Sequence, residues 1–171
     1  TTVLKYVIDR LPTYYEENNI AIQIFRSVAT LGIHCPFDID LRVRAVSQFS
    51  NLPIADNLAI ANKRVANILS KVDGDNFFEE VNEQLFSTEF EIRLAADLSL
   101  VKAACSDLIS NKNYSAALKQ LSILDSPLDD FFENVMVNCD NIALRANRIN
   151  LLKSIHDQFM KVADISQLAG N

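Results

Sequence analysis

Apolar residues recur at spacings of three and four along almost the whole chain, and no convincing stretch alternates apolar and polar positions. That period is typical of amphipathic helices, each of which turns one apolar stripe toward a core. Breaks and caps at Pro, Gly, Asn and Asp set the helix limits. In chain order, the first two predicted helices cover about residues 3–18 and 20–31, and the third is capped by Asp38 or Asp40. The fourth to sixth cover about 53–72, 87–109 and 114–124, the seventh begins at Ser126-Pro127, and the eighth covers about 140–162. We therefore predict an all-α helical bundle of about eight helices.

The length of 171 residues is that of a single domain with a core of its own. The segment Asp73-Gly-Asp-Asn76 interrupts the helical pattern, and we expect residues 77–86 to be irregular with anchoring phenylalanines. These breaks divide the predicted domain, 1–171, into an N-terminal helical half, 1–72, and a C-terminal helical half, 87–168. Because the chain starts at Thr1 almost inside a helix, we interpret it as a piece of a longer polypeptide.

Particular side chains are predicted to cap the helices and to fill the core. Ser87 or Thr88 is suited to cap the fifth helix, and Asp140 to cap the eighth. The inward-facing positions are expected to be Val43, Val46, Phe49, Leu58, Ala61, Val65, Ile68, Val72, Leu94, Leu98, Val101, Cys105, Leu108, Phe132, Val135, Met136, Ile142, Ala146, Ile149, Leu152 and Phe159.

The composition and the motifs of the sequence exclude several classes of function. The three cysteines fit neither a zinc site nor a disulfide framework, which favours a reduced, cytoplasmic setting. No apolar run is long enough to span a membrane, and no signal peptide is visible. The chain has no phosphate-binding glycine loop, and His34 and His156 have no neighbours that would build a catalytic or metal site. We expect the chain itself to be non-catalytic and to hold no cofactor or metal.

The charge is unevenly distributed although the net charge is -6. Segment 73–97 carries eight acids and only Arg93 as a base, and we expect it to face away from any anionic partner. Segment 38–72 carries five bases against three acids, and segment 140–162 carries four against two. An acidic protein can therefore still present a local basic surface.

Two helices place cationic and amide side chains on one face. On the fourth helix, Lys63, Asn67 and Lys71 form a stripe flanked by Asn62 and Arg64. On the eighth helix the corresponding residues are Asn141, Arg145, Arg148 and, beside them, Asn147. Guanidinium and amide groups suit unpaired base edges and phosphates. The alternative is that each face is merely the solvated side of an amphipathic helix.

The order of segments resembles the C-terminal region of the bacterial glycyl-tRNA synthetase beta subunit over nearly the whole chain. The matching pieces are Arg42-Val-Arg-Ala-Val46, Ala61-Asn-Lys-Arg-Val-Ala-Asn-Ile-Leu69, Phe131-Phe-Glu-Asn-Val-Met-Val137, Leu144-Arg-Ala-Asn-Arg-Ile149, Leu151-Leu152 and Val162-Ala-Asp-Ile-Ser166. The end of the chain also resembles the all-helical anticodon-binding module of arginyl-tRNA synthetase, named for an Asp-Ala-Leu-Arg tetrad. Here the tetrad reads Ile142-Ala-Leu-Arg145, with the acid displaced to Asp140.

The resemblance implies that the chain binds the anticodon of glycine tRNA within an enzyme that joins glycine to its tRNA. It implies an alpha subunit as partner in a heterotetramer, with ATP and Mg²⁺ used by the parent enzyme. A glycine anticodon offers cytosines, each with two acceptors and one amino donor on its pairing edge. The expected tRNA-binding residues are Arg42, Asn62, Lys63, Arg64, Asn67, Arg145, Asn147 and Arg148. The alternative is a helical interaction module that mainly holds the synthetase subunits together.

Overall fold

The computed structural model describes residues 2–72 and 80–170. Within these ranges the chain is helical and contains no strand, which confirms the predicted all-α class. The eight α-helices of the described ranges are α1 (Thr2–Glu17), α2 (Ile22–Ala29), α3 (Pro36–Ser50), α4 (Ala55–Leu69), α5 (Glu89–Ser110), α6 (Tyr114–Leu121), α7 (Asp125–Asn134) and α8 (Ile142–Met160). Short 3-10 turns lie at Glu83–Leu85, Ser122–Leu124 and Ile165–Leu168.

The helices pack on one another through the apolar stripes that the sequence pattern predicts. Helix α5 packs on α6 and α7, and α3 packs on α2 and α6. Helix α4 lies against α7, α8 and the 3-10 turn Ile165–Leu168, so that it packs on the C-terminal elements of the chain. The predicted stripes of α3, α4 and α5 are confirmed, since Val43, Leu58, Val65, Leu94 and Cys105 are all fully buried. Burial of such side chains contributes most of the stabilisation of a helical bundle.

Three of the helix starts are fixed by side-chain caps. Thr88 and Glu91 form a capping box at the start of α5, as the sequence predicts. Asn113 caps α6, and Asn141 caps α8 by accepting a hydrogen bond from the Leu144 amide. The predicted Asp140 cap of α8 is therefore wrong by one residue, since it is the Asn141 side chain that reaches the amide.

Other helices also begin or end at residues that differ from the predicted ones. Helix α3 begins at Pro36, two residues before Asp38, because proline suits a first helical turn and neither aspartate is needed as a cap. Helix α4 begins at Ala55, after a turn that contains Pro53. Helix α7 starts at Asp125, directly after the 3-10 turn, and α8 ends at Met160. The predicted break at 73–76 and part of the irregular segment 77–86 lie outside the described residues.

Two residues predicted to lie in the core are on the surface. Met136 is 72% exposed and Ile142 is 66% exposed. Helix α7 ends at Asn134, so Met136 belongs to an extended loop and no longer shares a helical face with Phe132. Ile142 is the first residue of α8 and lies beyond the reach of the core. No helix among the described residues is long and apolar enough to cross a membrane.

Candidate nucleic-acid interface

Arg64 presents an exposed cationic group on the predicted face of α4. Its side chain is exposed, and its guanidinium carbon lies 4.2 Å from the centroid of the Phe132 ring. None of the five guanidinium N–H donors is hydrogen-bonded to another described residue. The contact with the ring therefore holds the group in place while leaving its donors open to a ligand.

Lys63 and Asn67 lie on the neighbouring side of the same helix. Both line a cleft of about 710 Å³ between α2, α4 and the C-terminal 3-10 turn, and Arg26 lines the same cleft. The Nζ atom of Lys63 donates to the Gly170 carbonyl at 3.4 Å, whereas the Asn67 side chain is exposed. The face of α4 is thus wider than one stripe, with Arg64 on the side of α7 and the other two on the side of α2.

Arg145 lies in the first turns of α8 and is partly buried. Its Nη1 atom donates to the Cys139 carbonyl at 3.2 Å, which leaves other donors of the guanidinium open. Cys139 belongs to residues 135–141, the loop that joins α7 to α8 and is called here the α7–α8 loop. Arg64 lines the groove beside the same loop, so the two predicted helices bring Arg64 and Arg145 to one structural element.

Arg148, by contrast, is a buried cross-link. Its Nε atom lies 2.9 Å from an oxygen of Glu91, and both side chains are almost wholly excluded from solvent. The remaining guanidinium nitrogens donate to the Met136 carbonyl and to the Ser87 hydroxyl, each at 2.9 Å. Arg148 thereby ties the α7–α8 loop to the start of α5, and its hydrogen-bonding capacity is spent inside the protein.

Three more of the predicted binding residues are buried and hydrogen-bonded internally. Arg42 pairs with Asp38, donates to the Lys161 and Val162 carbonyls and stacks on Tyr114. Asn147 exchanges two hydrogen bonds with the backbone of Asn82, and Asn62 donates to the Leu58 carbonyl.

The two buried carboxylates are held in their charged form. Burial by itself raises the pKa of Glu91, but hydrogen bonds from Arg148, Ser87 and Thr88 outweigh it and hold the pKa below its ordinary value. Burial likewise opposes the charge of Asp38, yet the hydrogen bonds from Tyr114 and Arg42 lower its pKa. Both acids therefore act as fixed anions that neutralise buried arginines.

The groove beside Arg64 contains residues that the sequence interpretation did not propose as binding groups. It has a volume of about 550 Å³ and lies between α4, α7 and the α7–α8 loop. It is lined by Arg64, Ile68, Phe132, Glu133, Asn134, Val135, Met136, Val137 and Asn138. The sequence signal was the end of the helical pattern near Asn138, which places polar residues in a loop next to two aromatic rings.

Side chains that could ligate a metal do not form a cluster in the described part of the chain. Across residues 2–72 and 80–170, no group of three or more His, Cys, Asp or Glu side chains could hold a metal ion. Asp125 and Asp129 each accept a hydrogen bond from the Asn57 amide.

Comparison with known proteins gives one consistent result. The family model for the DALR anticodon binding domain matches residues 58–166, a range that includes most of α4 and all of α5 to α8. The glycine–tRNA ligase beta subunit of Edwardsiella ictaluri is 43% identical over 166 residues, which are 97% of this chain and 24% of that protein. The beta subunits of Colwellia psychrerythraea and Hahella chejuensis are 38% and 41% identical over 168 residues. The chain thus spans about a quarter of the length of these curated relatives.

Proposed function

This chain belongs to the DALR anticodon binding domain family, and we propose that it binds the anticodon loop of glycine tRNA as part of a glycine–tRNA ligase beta subunit. The observation that carries the proposal is the family match over residues 58–166, which contains Arg64 with its open guanidinium donors. The similarity to three beta subunits over almost the full chain supports glycine tRNA as the partner.

The residues proposed to contact tRNA are Lys63, Arg64, Asn67 and Arg145. Each has side-chain atoms at the surface, and the two arginines flank the α7–α8 loop. A splayed anticodon loop exposes phosphates and base edges, which match guanidinium and amide donors. We assign the other four predicted residues to the support of this surface. These are Arg42, Asn62, Asn147 and Arg148.

The rest of the ligase reaction is proposed to lie outside this chain. Attachment of glycine to tRNA by a ligase of this type uses ATP and Mg²⁺. We propose that this chain positions tRNA while an alpha subunit carries out the chemistry, in the cytoplasm.

The test is the affinity of the full chain for glycine tRNA, measured by fluorescence anisotropy over a range of salt concentrations. We expect Arg64→Ala and Arg145→Ala each to weaken binding. A residue that contacts one phosphate should also reduce the slope of log affinity against log salt by about 0.7.

Arg44→Ala is the matched control, since Arg44 is an exposed arginine that pairs with Asp40 on α3 and lines neither the groove nor the cleft. Equal losses in the control and in the two variants would mean that only net charge matters. If the wild-type chain binds glycine tRNA no better than an unrelated hairpin, the proposal is wrong.

A second candidate function is a helical module that holds the subunits of the ligase together. Helix α1 favours it, because Val3, Tyr6 and Val7 are exposed apolar residues on a helix that packs mainly on α2. Titration of the chain with purified alpha subunit tests this candidate. Tight subunit binding without any RNA binding at low salt would replace the first proposal by the second.

A further inference from the structure

The groove beside Arg64 has an apolar wall, and its polar side chains include both a hydrogen-bond acceptor and hydrogen-bond donors. Met136 forms part of the wall and is 72% exposed, although the neighbouring Val135 and Val137 are buried. On the other side the guanidinium carbon of Arg64 lies over the Phe132 ring, 4.2 Å from its centroid. A planar, polarisable ligand can contact both a methionine side chain and a guanidinium plane, which is how unstacked bases are held in proteins.

Two polar side chains of the groove, Glu133 and Asn138, are exposed and available to a ligand. Glu133 is exposed and makes no hydrogen bond or ion pair with another described residue, and it does not pair with Arg64 although both line the same groove. Asn138 in the loop is likewise exposed, with no hydrogen bond from its side chain to a described residue. A carboxylate acceptor therefore lies in the same groove as guanidinium and amide donors.

We propose that this groove binds one cytosine of the anticodon and that Glu133 is the residue that distinguishes it from uracil. The inference rests on the proposed function. The Glu133 carboxylate can accept a hydrogen bond from the amino group of cytosine, and the ring N3 and the O2 carbonyl of cytosine can accept from Arg64 and Asn138. Uracil has a carbonyl in place of the amino group, so it would bring an acceptor against the carboxylate and leave both without a donor.

The groove is held open by contacts within the protein. Arg148 donates to the Met136 carbonyl, and Arg145 donates to the Cys139 carbonyl. Through Arg148 the loop is connected to the buried Glu91 and to the capped start of α5. A loop fixed in this way loses little conformational entropy when a base enters, so its contacts contribute more fully to affinity.

The experiment uses the full chain and a fluorescein-labelled RNA hairpin that carries the anticodon loop of glycine tRNA. Each anticodon cytosine is replaced in turn by uracil, and affinities are measured for the wild type and for Glu133→Ala. We expect one cytosine-to-uracil change to weaken wild-type binding about 5- to 150-fold, the range found for one well-made base contact. In Glu133→Ala that ratio should collapse toward one, because the cytosine hairpin loses the hydrogen bond to the carboxylate and the uracil carbonyl no longer meets it.

Asp107→Ala is the matched control, since Asp107 is an exposed acid on α5 that does not line the groove and its loss changes the net charge equally. We expect this control to keep the full cytosine-to-uracil ratio. Met136→Ala should weaken binding of the cytosine hairpin and should leave unchanged the binding of a hairpin that lacks the base at the same position.

The possible failures are distinct. If the wild type binds the hairpin but Glu133→Ala keeps every cytosine-to-uracil ratio, the subsite is wrong and anticodon binding stands. Equal weakening of both hairpins by Met136→Ala would also overturn the subsite. If the wild type does not prefer the anticodon hairpin to a hairpin with an unrelated loop, the proposed function fails and the subsite fails with it.

Discussion

Helix α4 exposes Arg64 and Asn67 to solvent, whereas helix α8 buries Asn147 and Arg148 against its neighbours. Both helices carry arginine and asparagine at helical spacing, so their sequences alone look alike. The difference lies in what surrounds them. Helix α8 packs on α4, on α5 and on the turn Glu83–Leu85, and Glu91 of α5 supplies a buried carboxylate for Arg148. An arginine with a buried acid opposite it supports the fold, and one without such a partner remains available to a ligand.

The largest effect expected from this comparison is the loss of the Arg148–Glu91 pair. We predict that Arg148→Met lowers the free energy of unfolding by about 3–5 kcal/mol, because it leaves the Glu91 carboxylate buried without its main partner. Chemical denaturation of the full chain, followed by circular dichroism, measures the change. The combined change of Arg148→Met with Glu91→Leu should cost less than the sum of the two single changes, because the charges are removed together. If Arg148→Met lowers the free energy of unfolding by less than about 0.5 kcal/mol, Arg148 behaves like an exposed arginine and does not support the fold.

The next prediction is that the difference in the free energy of unfolding between the wild type and Arg148→Met depends on pH. The pKa of Glu91 is lowered in the folded chain, so its contribution is complete above the ordinary value of about 4.5 and is lost as the pH falls through the folded value. Without Arg148, the pKa of the same carboxyl is higher than in the wild type, because burial is opposed only by the hydrogen bonds from Ser87 and Thr88. The variant then loses less stability than the wild type when the carboxyl is protonated. The stability difference between the wild type and Arg148→Met should therefore narrow as the pH falls from 7 to 3. A difference that stays constant over this range would show that Glu91 does not depend on Arg148 for its charge.

The fold was largely predictable because it depends on patterns that are local in sequence. The apolar stripes of α3, α4 and α5 repeat every three or four residues, and the capping box at Thr88 is contained in four residues. The ends of the helices were less predictable. Helix α3 begins at Pro36 and not at an aspartate cap, and α7 begins directly after a 3-10 turn.

The candidate site was less predictable because burial depends on residues far away in sequence. Arg148 meets Glu91 across 57 positions, and Arg42 meets the Val162 carbonyl across 120. No spacing within α3 or α8 reveals these partners. Met136 was misplaced for a related reason: the helical period continues in the sequence after Asn134, but the backbone becomes extended there.

The caps of α8 give a smaller and more local prediction. Asn141→Ala should lower the free energy of unfolding by about 1 kcal/mol, because its side chain accepts a hydrogen bond from the Leu144 amide. Asp140→Ala should change stability by less than about 0.5 kcal/mol, since the Asp140 side chain is exposed and does not cap the helix. Thermal unfolding of the two variants beside the wild type decides which residue is the cap. The reverse ranking would restore Asp140 to the role that the sequence first assigned to it.

Only a small effect on stability is expected for Arg64, and it tests the other side of the comparison. Arg64→Ala removes one exposed contact between a guanidinium and the Phe132 ring, which contributes about 0.5–1 kcal/mol. Arg44→Ala, which removes an exposed ion pair with Asp40, should cost less than that, because solvent screens the pair. Chemical denaturation separates both from Arg148→Met by several-fold. If Arg64→Ala instead destabilises the chain as much as Arg148→Met does, its guanidinium is a structural group like that of Arg148, and the distinction between α4 and α8 does not hold.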